Sequence, residues 1–175
     1  MRQFLTLLTA LGLFAAAPLT AQQFEVKPGP EHAFLKEGEG TWDATAKSMG
    51  KESKGTLTCK MALNGLWMLE QYQGEIEGVK FEGRGATSYD PAKKKFINVW
   101  IDSMVTSPML SEGTYEKEKK TLTFRGDMPM PDGKSIKSTI TILYKDANTK
   151  VMSLKGNIDG KDLEMVEITY KRRAK

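Results

Sequence analysis

The sequence predicts an all-β fold: an antiparallel up-and-down barrel of about ten strands with a short N-terminal plug helix. Three observations support this. From Gly40 onward, segments in which apolar and polar residues alternate follow one another at hairpin spacing. Turn dipeptides separate them, and no interval is long enough for the crossover helix that parallel strands require. One-sided strands joined by single-step hairpins, without a Greek-key detour, bury one face and lose their free edges by closing on themselves.

The elements follow in order. Arg2, an uncharged apolar run from Phe4 to Ala17 and a small residue at Ala21 give residues 1–21 the layout of a secretory signal peptide. Pro18 disfavours cleavage after Ala17, and the lack of a nearby cysteine excludes a lipoprotein anchor. The run is too short to span a bilayer and no stop-transfer segment follows, so the mature chain is expected to be soluble and exported, periplasmic where the cell has two membranes. Residues 22–39 form a lead-in with one short helix, opened by Pro30, running from Glu31 to Glu37 and ended by Gly38. Residues 40–175 form a single barrel domain. Its strands are predicted near 40–47, 54–63, 66–76, 79–89, 94–102, 108–116, 120–127, 135–145, 150–158 and 162–172. Between them, Asn64-Gly65 and Asp159-Gly160 suit tight hairpins, Asp90-Pro91 pre-sets a turn, and Pro131-Asp132-Gly133 marks a longer loop.

Composition narrows the function. At 175 residues, 39% apolar and 27% charged, the chain suits one globular domain and not a disordered tail. Its single cysteine excludes a disulfide framework and a thiolate zinc site. A formal charge of +4, evenly spread, is too small to argue for nucleic acid. The lysine runs at 93–95 and 117–120 fall on predicted turn tips, where solvation explains them.

Alternation separates the faces. Leu57, Cys59, Met61 and Leu63 share one face of the second strand, against Thr56, Thr58 and Lys60. Ile136, Ile140, Ile142 and Tyr144 do the same later, against Lys137, Thr139 and Thr141. About eight strands hold one small ligand at most, so ten imply a cavity. Glycines at 74, 83, 85, 113, 126 and 156 fall inside strands, where bends at barrel corners are the expected reason and extra room a secondary one.

Gly40-Thr41-Trp42, preceded by a short helix, resembles the Gly-x-Trp signature of lipocalin-like (calycin) barrels. That resemblance implies that Trp42 plugs one end and that a basic residue of the last strand packs over its ring. Lys171, Arg172 and Arg173 stand at the right place, with Arg172 assigned the role. Phe81-Glu82-Gly83-Arg84-Gly85, Tyr89-Asp90, Trp100-Ile101-Asp102 and Ser111-Glu112-Gly113-Thr114-Tyr115, after a Pro28-Gly29-Pro30-Glu31-His32 lead-in, are similar to the bacterial family called domain of unknown function 1579. Membership implies a calycin-like barrel and no established activity.

Candidate site residues come from register. A two-residue Asn64-Gly65 turn places Leu63 and Leu66 on one face, so an inward Leu63 carries Met68, Glu70, Tyr72 and Gly74 inward with it. On the fifth strand Phe96, Asn98, Trp100 and Asp102 share a face. Glu70, Tyr72, Trp100 and Asp102, with Arg84 or Arg125, are the expected polar anchors of an otherwise apolar pocket, joined by Phe81, Met109 and Phe124. The alternative is a purely structural network. His32, the only histidine, reads as a structural polar group at the helix start, and no later histidine exists to serve as a haem ligand. Met128-Pro129-Met130-Pro131 reads as apolar loop residues at the barrel mouth, two thioethers being too few for copper. Cys59 reads as a small buried hydrophobe.

These features predict a non-enzymatic protein holding a small, mainly apolar molecule of the lipid or isoprenoid class, with no cofactor and no metal. A filled-core module of the cell envelope is the second expectation. An isomerase- or hydratase-like enzyme using Glu70 and Asp102 is the third. Oligomeric state is left open.

Overall fold

A computed structural model describes residues 26–76 and 78–174. The predicted signal segment, residues 1–21, lies outside them. Helix α1 (Pro30–Glu37) precedes ten strands: β1 (Gly40–Ser48), β2 (Lys51–Ala62), β3 (Trp67–Ile76), β4 (Val79–Asp90), β5 (Lys95–Asp102), β6 (Met109–Glu116), β7 (Thr121–Pro129), β8 (Ser135–Asp146), β9 (Thr149–Ile158) and β10 (Lys161–Arg172). Each strand pairs antiparallel with the next, and β10 returns to β1, Trp42 opposite Arg172, to close the barrel. Among the described residues no helix is long and apolar enough to cross a membrane.

The turns keep register. Met49-Gly50 and Asp159-Gly160 are two-residue hairpins with positive φ at both positions, the backbone that matches strand twist. Asp90 caps its turn by accepting hydrogen bonds from the Ala92 and Lys93 amides at 2.9 and 3.1 Å. Asn64-Gly65 differs from the two-residue expectation. Ala62 pairs with Trp67, so the turn spans residues 63–66, with positive φ at Leu63, Asn64 and Gly65. Leu63 leaves the strand and is exposed. The inward row on β3 nevertheless holds, because it is set by Leu57, Cys59 and Met61, which face Tyr72, Glu70 and Met68 across the ladder.

Glycines inside the strands have a second use. Several of them give clearance to side chains lying on the inner wall. The Trp100 indole covers Gly83 and Gly85, and the Tyr72 ring covers Gly55 and Gly74. A β-carbon on Gly83 or Gly55 would overlap the ring above it, and at Gly85 and Gly74 it would crowd the neighbouring side chains.

Helix α1 closes one end. Gly29 begins it and Pro30 takes the first position, where a missing N–H costs nothing. His32 Nδ1 accepts a 3.1 Å hydrogen bond from the Gly29 amide, and its buried ring meets the edge of Tyr89, a structural role. Leu35 is buried in the barrel core. Phe34 stacks on Tyr115 at 4.1 Å and meets Phe96 and Tyr144 edge-on. The opposite end, formed by the hairpins after β1, β3, β5, β7 and β9, stays open.

Candidate functional site

The open end leads into a cavity that reaches Leu35 and Gly38 of the plug; its volume is about 1700 Å³ when the mouth and the adjoining outer surface at Asp43, Lys54 and Arg173 are included. The interior is therefore not filled by side chains. Met49, Ile76, Met104, Val105 and the Met128–Pro131 loop line the entrance. Deeper, the two halves of the wall differ. Leu122, Phe124, Ile140, Ile142, Met152, Leu154, Val166 and Ile168 make β7 to β10 an apolar wall. On β3 to β6 polar groups, Glu70, Thr87, Asn98 and Asp102, are set among Met68, Tyr72, Phe81, Trp100 and Met109.

The polar groups are aligned by register. Thr87, Asn98, Ser111, Gly126 and Ser138 are successive cross-strand partners, so small polar side chains run in a row from β4 to β6 and, past Gly126, reappear on β8. Asn98 Nδ2 donates to Thr87 Oγ1 at 2.9 Å, and Thr87 donates onward to Glu70 Oε2 at 3.4 Å. Ser138 donates to the Gly126 carbonyl at 3.1 Å. Ser111 Oγ is buried with no hydrogen-bond partner among the described residues. Burial pushes the Glu70 carboxyl above its ordinary value, with Lys150 and the Thr87 hydrogen bond pulling the other way. The phenols of Tyr72, Tyr144 and Tyr170 are raised by burial as well, which keeps them neutral donors.

Nearer the mouth, Trp100 Nε1 donates to Asp102 Oδ2 at 3.0 Å, and Asp102 Oδ1 accepts the Met104 amide at 2.8 Å. Asp102 thereby fixes both the indole and the start of the β5–β6 loop. No hydrogen bond joins Asp102 to Glu70 among the described residues. Each carboxylate has its own partners.

The floor carries two cations. Trp42, 2% exposed, donates from Nε1 to the Gly38 carbonyl at 3.1 Å. The Arg172 guanidinium lies 4.0 Å from the centre of its ring. Arg172 also donates to the carbonyls of Glu37 at 2.7 Å, Ala147 at 3.0 Å and Glu39, which ties the last strand to the lead-in. Lys171 is exposed, and Arg173 is exposed and pairs with Asp43 at 2.6 Å. The second cation is Lys150, 6% exposed, its Nζ 4.6 Å from the Trp42 ring centre and 5.3 Å from that of Tyr170.

Seven predicted site residues therefore line the lumen: Glu70, Tyr72, Phe81, Trp100, Asp102, Met109 and Phe124. Arg84 does not. It lies exposed on the outer face and donates to the Gly83 carbonyl, because Gly83 and Gly85 take the inward positions beside it. Arg125 is outward for the same reason, between Phe124 and Gly126. The lumen cation is Lys150, which sequence reasoning missed along with Thr87 and Asn98. Its signal was the row Lys150, Met152, Leu154 and Gly156, one face of β9. Cys59 sits buried opposite Glu70, and burial pushes its thiol up to about 12.

A closed ten-stranded barrel, plugged by a helix and a Trp–Arg stack and open at its other end, defines a lipocalin-like (calycin) fold. The chain belongs to the DUF1579 family: the family's profile, described as "Protein of unknown function (DUF1579)", matches residues 27–172. Its barrel is similar to an S-type phycobiliprotein lyase from Guillardia theta, with TM-score 0.58 and 10% identity over 83% of this chain and 93% of the lyase. At that identity the likeness is one of fold. It is also similar to a de novo designed fluorescence-activating β barrel, with TM-score 0.46 and 15% identity over 79% of this chain and 96% of that one. A redesigned barrel bound to DFHBI, mFAP1, aligns with TM-score 0.42 and 18% identity over 79% and 97% of the two chains. No curated protein matches the chain.

Proposed function

We propose that this protein is exported and binds a small, mainly apolar molecule of the lipid or isoprenoid class in its lumen without transforming it. The observation that carries the reading is the cavity, whose lining runs from Met49 and Met104 at the mouth down to Leu35 and Gly38 at the plug. A filled-core envelope module would place side chains where that space lies. Ligand sites commonly occupy roughly 300–1,000 Å³, so the lumen with its mouth has room for one. Burial on the β7–β10 wall would supply affinity at about 25 cal/mol per Å² of apolar surface removed from water. The Glu70–Thr87–Asn98 wall would orient the molecule. A non-catalytic role is supported by Asp102, whose two oxygens are engaged by Trp100 and the Met104 amide, away from Glu70. Export rests on the pattern of residues 1–21.

Native mass spectrometry of the protein purified from its own organism tests this. The expected spectrum shows a chain beginning at Gln22 with a retained apolar ligand. A chain that keeps residues 1–21 would remove the export claim. Absence of any adduct, together with failure to take up a neutral apolar dye such as Nile red, would remove the binding claim.

A further inference from the structure

The lumen floor contains a charge that the fold does not satisfy. Lys150 is more than nine-tenths buried and lines the cavity. No hydrogen bond or ion pair reaches its Nζ among the described residues. Two ring faces, those of Trp42 and Tyr170, lie against it. Aromatic faces attract a cation, but they cannot accept the three N–H bonds an ammonium offers. The groups that bear on it electrostatically are Glu70 and Cys59, and neither forms an ion pair with it. Facing the cavity with no acceptor beside it among the described residues, the ammonium is open to an anionic partner from within the lumen.

We infer that Lys150 is the head-group site of the lumen and that the ligand is a long-chain carboxylate, bound acid end inward with its tail along the apolar wall. The inference rests on the lumen-binding reading above and names its ligand class. A carboxylate offers both the acceptors and the charge that Lys150 lacks, whereas an alcohol or carbonyl leaves the charge unbalanced. The floor suits it in a second way. Burial favours the protonated form of Glu70, whose O–H is then a donor for the head group instead of a repelling charge. From Lys150, Met152 and Leu154 continue up β9, and Ile140 and Ile142 lie beside them on β8, an apolar track for the tail.

The test displaces Nile red from the full mature protein with palmitate, hexadecanol and hexadecylamine at mildly alkaline pH. Palmitate is expected to displace the dye at about tenfold lower concentration than the alcohol, and the amine to be weakest. Lys150→Met should abolish the preference for the acid while leaving the alcohol unchanged, and Lys150→Arg should keep it. Equal displacement by acid and alcohol in the wild type overturns the inference, as does a preference that survives in Lys150→Met. If the methionine variant fails to fold by circular dichroism, the wild-type comparison of the three head groups still decides. If Nile red never enters the lumen, the failure belongs to the binding reading and not to the head group alone.

Discussion

Substituting Gly83 by alanine should destabilise the barrel, although β-strands ordinarily favour alanine over glycine. The intrinsic gain from removing a strand glycine is about 0.5–1 kcal/mol. Against it stands the Trp100 indole. A β-carbon on Gly83 would overlap Cζ2 and lie 2.7 Å from Cη2 and 2.9 Å from Cε2, all well inside carbon contact distance. The ring must swing off the wall, and overpacking of this kind costs roughly 1–3 kcal/mol. Swinging also breaks the 3.0 Å bond from Trp100 Nε1 to Asp102, a loss of about 0.5–1.5 kcal/mol. The penalties, about 1.5–4.5 kcal/mol together, outweigh the gain by about 0.5–4 kcal/mol, which for a domain of this size lowers the melting temperature by roughly 1–16 °C. Thermal melts of wild type, Gly83→Ala, Trp100→Ala and the double variant form the cycle that isolates the contact. The Gly83→Ala penalty should vanish when Trp100 is already alanine. An unchanged melting temperature in the single variant, or strictly additive effects in the double, would refute the claim that the glycine exists to seat the indole.

Three further outcomes follow from the same geometry. Burial raises the Glu70 carboxyl above 4.5, so its stabilising share is complete below that value and is lost as pH rises through the folded-state value. Glu70→Gln should therefore be more stable than wild type at neutral pH and match it in acid; a less stable variant at neutral pH would mean the carboxylate is ionised and paired. Cys59, with its thiol raised from 9.0 to about 12, should resist iodoacetamide at neutral pH until denaturant opens the barrel, and rapid labelling of the folded protein would contradict its burial. Arg172→Leu removes the stack on Trp42 and the bonds to the Glu37, Glu39 and Ala147 carbonyls, for an expected loss of about 2–4 kcal/mol in denaturant melts, with lysine restoring only the stacking.

What the sequence shows of this protein follows from how local each cause is. Alternation and turn residues are local, so all ten strands and the closure were legible, as was an inward Glu70. Leu63 was misplaced because the Asn64-Gly65 pair does not reveal that φ turns positive one residue earlier. Strand glycines lost their meaning for the opposite reason: the ring that needs Gly83 comes from Trp100 on the neighbouring strand, and the sequence between them gives no sign of it. Arg84 shows how far this reaches. Flanked by two glycines, it looks like the one functional side chain of its segment, yet the glycines hold the inward positions and expel it. Lys150 errs the other way. It heads the apolar row of β9, but a lysine at a strand end beside a turn reads as solvated; pairing with β10 sets Tyr170 opposite it, and closure of β10 onto β1 adds Trp42. The cation buried in the lumen is thus a product of barrel closure, and for that reason it is the residue on which the choice of ligand turns.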